Sequence, residues 1–120
     1  MKEQSLPILL NIFAAVLGAL GQYAYKKGGT LLGQIPIYKN YHLFSGIALF
    51  CVVMLLFVIG YKMGGRISVV YPFYATTFLW GVLLGHFLDG EPLNMGIWSG
   101  SLLIIIGLVL VAKNAGGVNP

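Results

Sequence analysis

Acidic side chains are almost missing from this chain: Glu3, Asp89 and Glu91 are the only three in 120 residues, and all charged residues together make up 8%. A water-soluble domain of this size keeps a large share of its surface in solvent and needs far more charge to cover it. Cysteine is represented by Cys51 alone. One cysteine excludes an intrachain disulfide framework and a cysteine-built metal site, and its position inside an apolar run suits a small apolar filler. Also missing are a glycine-rich phosphate loop, His, Asp or Glu at metal-ligand spacing, and a nucleophile with a base beside it. Neither ATP-driven transport nor an enzyme finds support, and no cofactor or metal is expected.

What the chain does contain is apolar surface, at 58% hydrophobic residues and a mean hydropathy of +0.89. Lipid is the solvent that such a composition calls for. The net charge of +4 comes from Lys and Arg placed singly or in pairs at the ends of apolar segments. That placement fits headgroup anchoring rather than nucleic acid, which would need a basic stripe. The first apolar stretch, preceded by Lys2, resembles a signal peptide only superficially. It is too long, carries Asn11 and leads into further apolar segments, so it is expected to stay as a span.

Four segments emerge, at residues 7–25, 43–61, 67–88 and 93–112. The first ends at Lys26-Lys27-Gly28-Gly29, the second at Lys62 and Gly64-Gly65, the third at Asp89-Gly90-Glu91-Pro92 and the fourth at Lys113-Asn114. About 20 residues at 1.5 Å each cover the roughly 30 Å of a hydrocarbon core. Continuous apolar runs favour helices over barrel strands, whose residues alternate. The expected fold is an all-α membrane protein, one domain of four transmembrane helices. The stretch Gly28 to His42, with Ile35, Ile37, Tyr38, Lys39 and Tyr41, suits the headgroup region or an ordinary loop. Lys2, Lys62, Arg66 and Lys113 would share one side and Lys26, Lys27 and Lys39 the other, four against three, which leaves orientation open.

Asn11, Ala15, Gly18, Gln22 and Lys26 recur at steps of four and three and form the most polar stripe of the first segment. It reads equally as a helix contact or as the wall of a passage. Gly81 and Gly85, then Gly96 and Gly100 with Gly107, are spaced for close helix approach. Four helices enclose little polar space, so a dimer, of identical chains or with a second four-helix subunit, is expected. Pro72 is expected in a first turn or at a kink. His86 and Asp89 read as solvated interface residues rather than a pair, and Glu91-Pro92 as the opening of the fourth helix.

Gly21-Gln22-Tyr23-Ala24-Tyr25-Lys26, Val70-Tyr71-Pro72, Phe78-Leu79-Trp80 and Gly90-Glu91-Pro92, in that order over four spans, resemble the drug/metabolite transporter superfamily. Within it the chain resembles the small multidrug resistance-like members and, more closely, the paired subunits of the flippase for undecaprenyl phosphate-linked aminoarabinose. The small multidrug resistance transporters are known for a glutamate in the first helix, and Ala15 stands at that position here. An ionisable residue in mid-membrane is usually functional, so its absence argues against proton-coupled cation export by that route.

The resemblance implies a bundle of the small multidrug resistance type and a prokaryotic inner-membrane flippase subunit that moves a polyprenyl-phosphate-linked sugar or a related anionic lipid. Lys26 and Lys27 at one face and Arg66 with Lys62 at the other offer cations for a phosphate. Asn11 and Gln22 offer amides for sugar hydroxyls, and Tyr71, Tyr74 and Trp80 offer rings with polar tips. Gly18, Gly81, Gly85, Gly96, Gly100 and Gly107 are assigned to packing within or between subunits. Two other readings stand beside this one: export of small organic cations, and a non-transporting membrane subunit of a glycosyltransferase complex.

Overall fold

The structure is a computed structural model and describes residues 4–115; Lys2 and the residues after 115 lie outside it. The described chain is helical, with α1 at Ser5–Leu31, α2 at Tyr41–Lys62, α3 at Ile67–Tyr74, α4 at Thr77–Asp89 and α5 at Met95–Asn114, plus a 3-10 turn at Ile37–Lys39. Four stretches are long and apolar enough to cross a membrane: Ser5–Leu31, Tyr41–Lys62, Ile67–Asp89 and Met95–Asn114. The number of crossings read from the sequence is the number of such helical stretches.

The first helix runs past its expected stop, through Lys26-Lys27-Gly28-Gly29 to Leu31. Tertiary contact overrides the poor helix propensity of the glycine pair. The Asn40 side chain, 1% exposed, donates Nδ2 to the Gly28 carbonyl at 2.9 Å and accepts the Leu43 N–H at 3.2 Å. One residue thereby caps α2 and pins the end of α1 to it. Replacing Asn40 by Ala removes the cap and leaves the Gly28 carbonyl without that donor, an expected loss of about 1–3 kcal/mol. Thermal unfolding in detergent, followed by circular dichroism, checks it.

Small residues place α1 at the centre, packed against α2, α3 and α4. On α2 the buried positions are Gly46, Val53 and Gly60, at seven-residue spacing. A Cβ built on Gly46 would lie 2.5 Å from the Tyr25 ring, and one on Gly21 would lie 2.7 Å from the Phe50 ring. Gly18 serves another neighbour, since the Tyr74 hydroxyl of α3 occupies the space its Cβ would need. A core of Ile8, Val69 and Val70, flanked by Ile12, Phe73 and Ala115, joins the start of α1 to α3 and the end of α5.

The third such stretch is two helices rather than one. Pro72 lies in the sixth position of α3, beyond a first turn, and its ring opposes a continuous ladder. Two threonines then complete the break. Thr76 donates its hydroxyl to the Phe73 carbonyl at 2.9 Å, and the local backbone bonds span three residues, as in Ala75 N–H to Pro72 and Leu79 N–H to Thr76. Thr77 donates its hydroxyl to the Ala15 carbonyl of α1 at 2.9 Å, docking the start of α4. Ala15 is fully buried in that contact.

The fourth helix opens later than expected. Asn94 caps it by accepting the Ile97 N–H at 3.0 Å, and helix begins at Met95, so Glu91 and Pro92 belong to the connection and not to the first turn. The late start has a local cause. Gly90, at φ +70°, turns the chain back, and the Glu91 N–H donates to the Gly85 carbonyl at 3.0 Å, which ties Glu91 to the end of α4. Helix α5 leans mainly on α3, and its buried residues are Ser101, Leu108 and Ala112. Among the described residues, nothing beyond the local helix backbone and chain neighbours lies within 4 Å of a Cβ built on its Gly100 or Gly107, and the same holds for Gly81 of α4.

Candidate functional site

Charge is scarce in this chain, and most of what the apolar helices carry is gathered at one place. Lys26 and Lys27 near the end of α1 meet Asp89 at the end of α4 and Glu91 just beyond it. Lys26 Nζ is 2.8 Å from Asp89 Oδ2 and also pairs with Glu91 Oε2. Lys27 Nζ is 3.1 Å from Asp89 Oδ1 and lies over the Tyr23 ring at 5.3 Å, while the Tyr23 hydroxyl donates to Asp89 Oδ1 at 3.2 Å. The group is neutral as a whole, two lysines against two acids. Its members differ in access, however: the Asp89 side chain is 12% exposed and that of Lys26 is 49% exposed.

Beside this group lies a cavity of about 130 Å³. Ala19, Gln22, Tyr23 and Lys26 of α1 form one wall, Gly81, Leu84 and Gly85 of α4 the other, and Asp89 and Glu91 complete it. Helix geometry explains the arrangement. Ala19, Gln22 and Lys26 follow at three and four residues, as do Gly81 and Gly85, so each set lies along one stripe. Glycines on α4 leave room between the helices that larger side chains would fill.

The sequence-based candidates divide accordingly. Gln22 and Lys26 line the cavity and Lys27 borders it through Asp89. Asn11 does not reach it. The Asn11 side chain is fully buried, donates Nδ2 to the Pro7 carbonyl of its own helix at 3.3 Å and faces Gly60 of α2. Tyr71 and Tyr74 pack their rings edge-on against Phe57 of α2, at 6.0 and 4.9 Å between centroids. Trp80 is half-buried on α4 outside the cavity lining. Arg66 belongs to the opposite end, where its backbone N–H donates to Gln4 at the start of α1. Lys26 lies 22 residues further along that helix, about 33 Å away.

Asp89, Glu91 and Tyr23 are the residues that sequence reasoning did not select. A usable signal existed in the acids: two of the three in the chain fall within three residues, at the end of an apolar run. The expected solvated roles for His86 and Asp89 are replaced by specific contacts. Asp89 is held by both lysines, and His86 donates Nδ1–H to the Glu91 carbonyl at 2.9 Å. Gly85, expected to pack a helix, instead accommodates the Glu91 carboxylate, which occupies the space a Cβ would take. Among the described residues no group of three His, Cys, Asp or Glu side chains is placed to hold a metal ion.

No protein-family model matches the chain. It is 25% identical over 114 residues to the uncharacterised protein y4nH of Sinorhizobium fredii, an alignment that covers 91% of this chain and 97% of that one. The two are therefore similar along nearly their whole lengths. No solved structure matches.

Proposed function

We propose that the chain is a multi-pass protein of a prokaryotic inner membrane and one subunit of a dimeric flippase for a polyprenyl-phosphate-linked sugar or a related anionic lipid. The observation that carries this reading is the cavity, where the accessible Lys26 ammonium and the Gln22 amide stand beside an apolar wall. At about 40 Å, α1 exceeds a hydrocarbon core by about 10 Å, so its lysine end falls at headgroup depth. An ammonium at that depth attracts a phosphate, and the amide supplies donors and an acceptor for sugar hydroxyls. The lipid tail stays in hydrocarbon alongside large apolar side chains that point outward, such as Leu55, Val58, Leu103 and Leu110. The order of the sequence motifs supports the same branch.

Reconstitution into liposomes with a labelled polyprenyl-phosphate sugar tests it, with the chain alone and with a candidate second four-helix subunit. Leaflet exchange above that of empty liposomes is expected, falling about tenfold with Gln22→Ala through loss of polar contacts to the head group. Asn11→Ala is expected to exchange lipid like the wild type, because Asn11 lies outside the cavity. Exchange no faster than in empty liposomes with both subunits present would refute the proposal.

One observation favours a second reading, export of small organic cations: two carboxylates, Asp89 and Glu91, border the cavity and stand in for the acid that is missing at Ala15. The cluster is neutral, so its charge does not rank the two cargoes, and the order of the sequence motifs keeps the anionic lipid as the leading reading. Drug-dependent proton movement in proteoliposomes would reverse that order.

A further inference from the structure

We infer that Glu91 is a latch on the head-group site, seated by Gly85 and released when a phosphate takes Lys26; the inference rests on reading the cavity as that site. Lys26 has no unused positive charge in the structure, since Asp89 and Glu91 together neutralise it and Lys27. An incoming phosphate must therefore compete with a carboxylate that is already in place. The two carboxylates are not equivalent competitors. Asp89 ends α4, is 12% exposed and is held by Lys27 and the Tyr23 hydroxyl as well as by Lys26. Glu91 is on the connection after Gly90, is about half-exposed, and its carboxylate has Lys26 as its ion-pair partner. Glu91 is the group that can leave.

Its position depends on a missing side chain. The Glu91 backbone is fixed to the end of α4 by its N–H bond to the Gly85 carbonyl and by His86 on its own carbonyl. From there the side chain folds across Gly85, through space that any Cβ at that position would fill, to reach Lys26. A methyl group on Gly85 meets the far end of a flexible side chain, so the carboxylate swings off while the helix stays intact, alanine being the better helix former. Gly85→Ala thus opens the latch without altering any charge. Glu91→Gln opens it by removing the charge.

Calorimetric titration of the full chain in zwitterionic nanodiscs with dihexyl phosphate, a phosphodiester with one fixed negative charge, tests the latch. Both Gly85→Ala and Glu91→Gln should bind about threefold to tenfold more tightly than wild type, because a larger fraction of molecules is open. Lys26→Gln should bind at least about tenfold more weakly. Wild-type affinity in Gly85→Ala, with tighter binding in Glu91→Gln alone, would show a general charge effect and overturn the latch. Wild-type affinity in both, with binding still lost in Lys26→Gln, would overturn the latch and leave the site standing. Undiminished binding in Lys26→Gln, or no binding by any form, would overturn the site and the latch together.

Discussion

Gly28→Leu should fail to accumulate as a folded protein, and Gly28→Ala should lose about 1–3 kcal/mol of stability. A Cβ at this position would lie 2.9 Å from the Leu43 backbone nitrogen and 3.1 Å from its Cα, with Asn40 Oδ1 at 3.2 Å. Backbone atoms at the start of α2 cannot rotate away as a side chain can. Relief requires the two helices to separate, which breaks the Asn40 bonds to Gly28 and Leu43 and loosens the tight contacts at Gly21 and Gly46. Gly107→Leu is the matched control, because among the described residues nothing beyond its own helix backbone and chain neighbours lies within 4 Å of its Cβ. Its thermal midpoint in detergent should equal that of wild type. If the glycine face of α5 joins two subunits, the same substitution lowers crosslinking between copies in membranes while monomer stability holds.

Lys26→Glu should bring lipid exchange down to that of empty liposomes. The substitution removes the accessible cation from the cavity and places a third carboxylate beside Asp89 and Glu91, with Lys27 as the remaining positive group of the cluster. A phosphate then meets net negative charge at the point where it has to be received, and like charges at short range exclude it. The neutral Lys26→Gln separates the two effects. It should reduce exchange by at least about tenfold, while the thermal midpoint stays close to wild type because Lys26 is half-exposed and Asp89 keeps Lys27 and the Tyr23 hydroxyl as partners. A midpoint that collapsed in Lys26→Gln would assign the lysine to folding instead. Initial exchange rates and thermal scans on the same preparations check both statements.

The architecture was legible because long apolar runs leave a simple record. A helix with apolar residues on every side and charges at its ends can be counted from composition alone, and the second stretch, expected at residues 43–61, is found at Tyr41–Lys62. Helix ends were less legible where tertiary contacts decide them. The glycines at positions 28 and 29 resemble a stop, yet α2 and Asn40 hold the backbone helical there. The break after Tyr74 was foreshadowed by Pro72 but depends on how Thr76 and Thr77 spend their hydroxyls, which no local pattern specifies.

The site was half legible for a similar reason. Gln22 and Lys26 stood out because they share a polar stripe on one helix. Glu91 is 65 residues from Lys26 in sequence, and pairing at that separation is set by the fold. The glycines show the same limit. Gly18 and Gly85 make room for Tyr74 and Glu91, whereas Gly81, Gly100 and Gly107 look onto open space, and spacing alone does not separate the two uses.

On the proposed function, an anionic lipid crosses the bilayer by way of the Lys26 cavity. A photoactivatable polyprenyl phosphodiester in proteoliposomes tests this directly when exchange and crosslinked peptides are measured in the same vesicles. Expected is exchange above empty liposomes, with crosslinks on residues 19–26 of α1 and 81–91 of α4 and its turn, suppressed by excess unlabelled lipid and lost in Lys26→Gln. Crosslinks confined to α5 or to the Arg66 end, or exchange that is unchanged in Lys26→Gln, would contradict it.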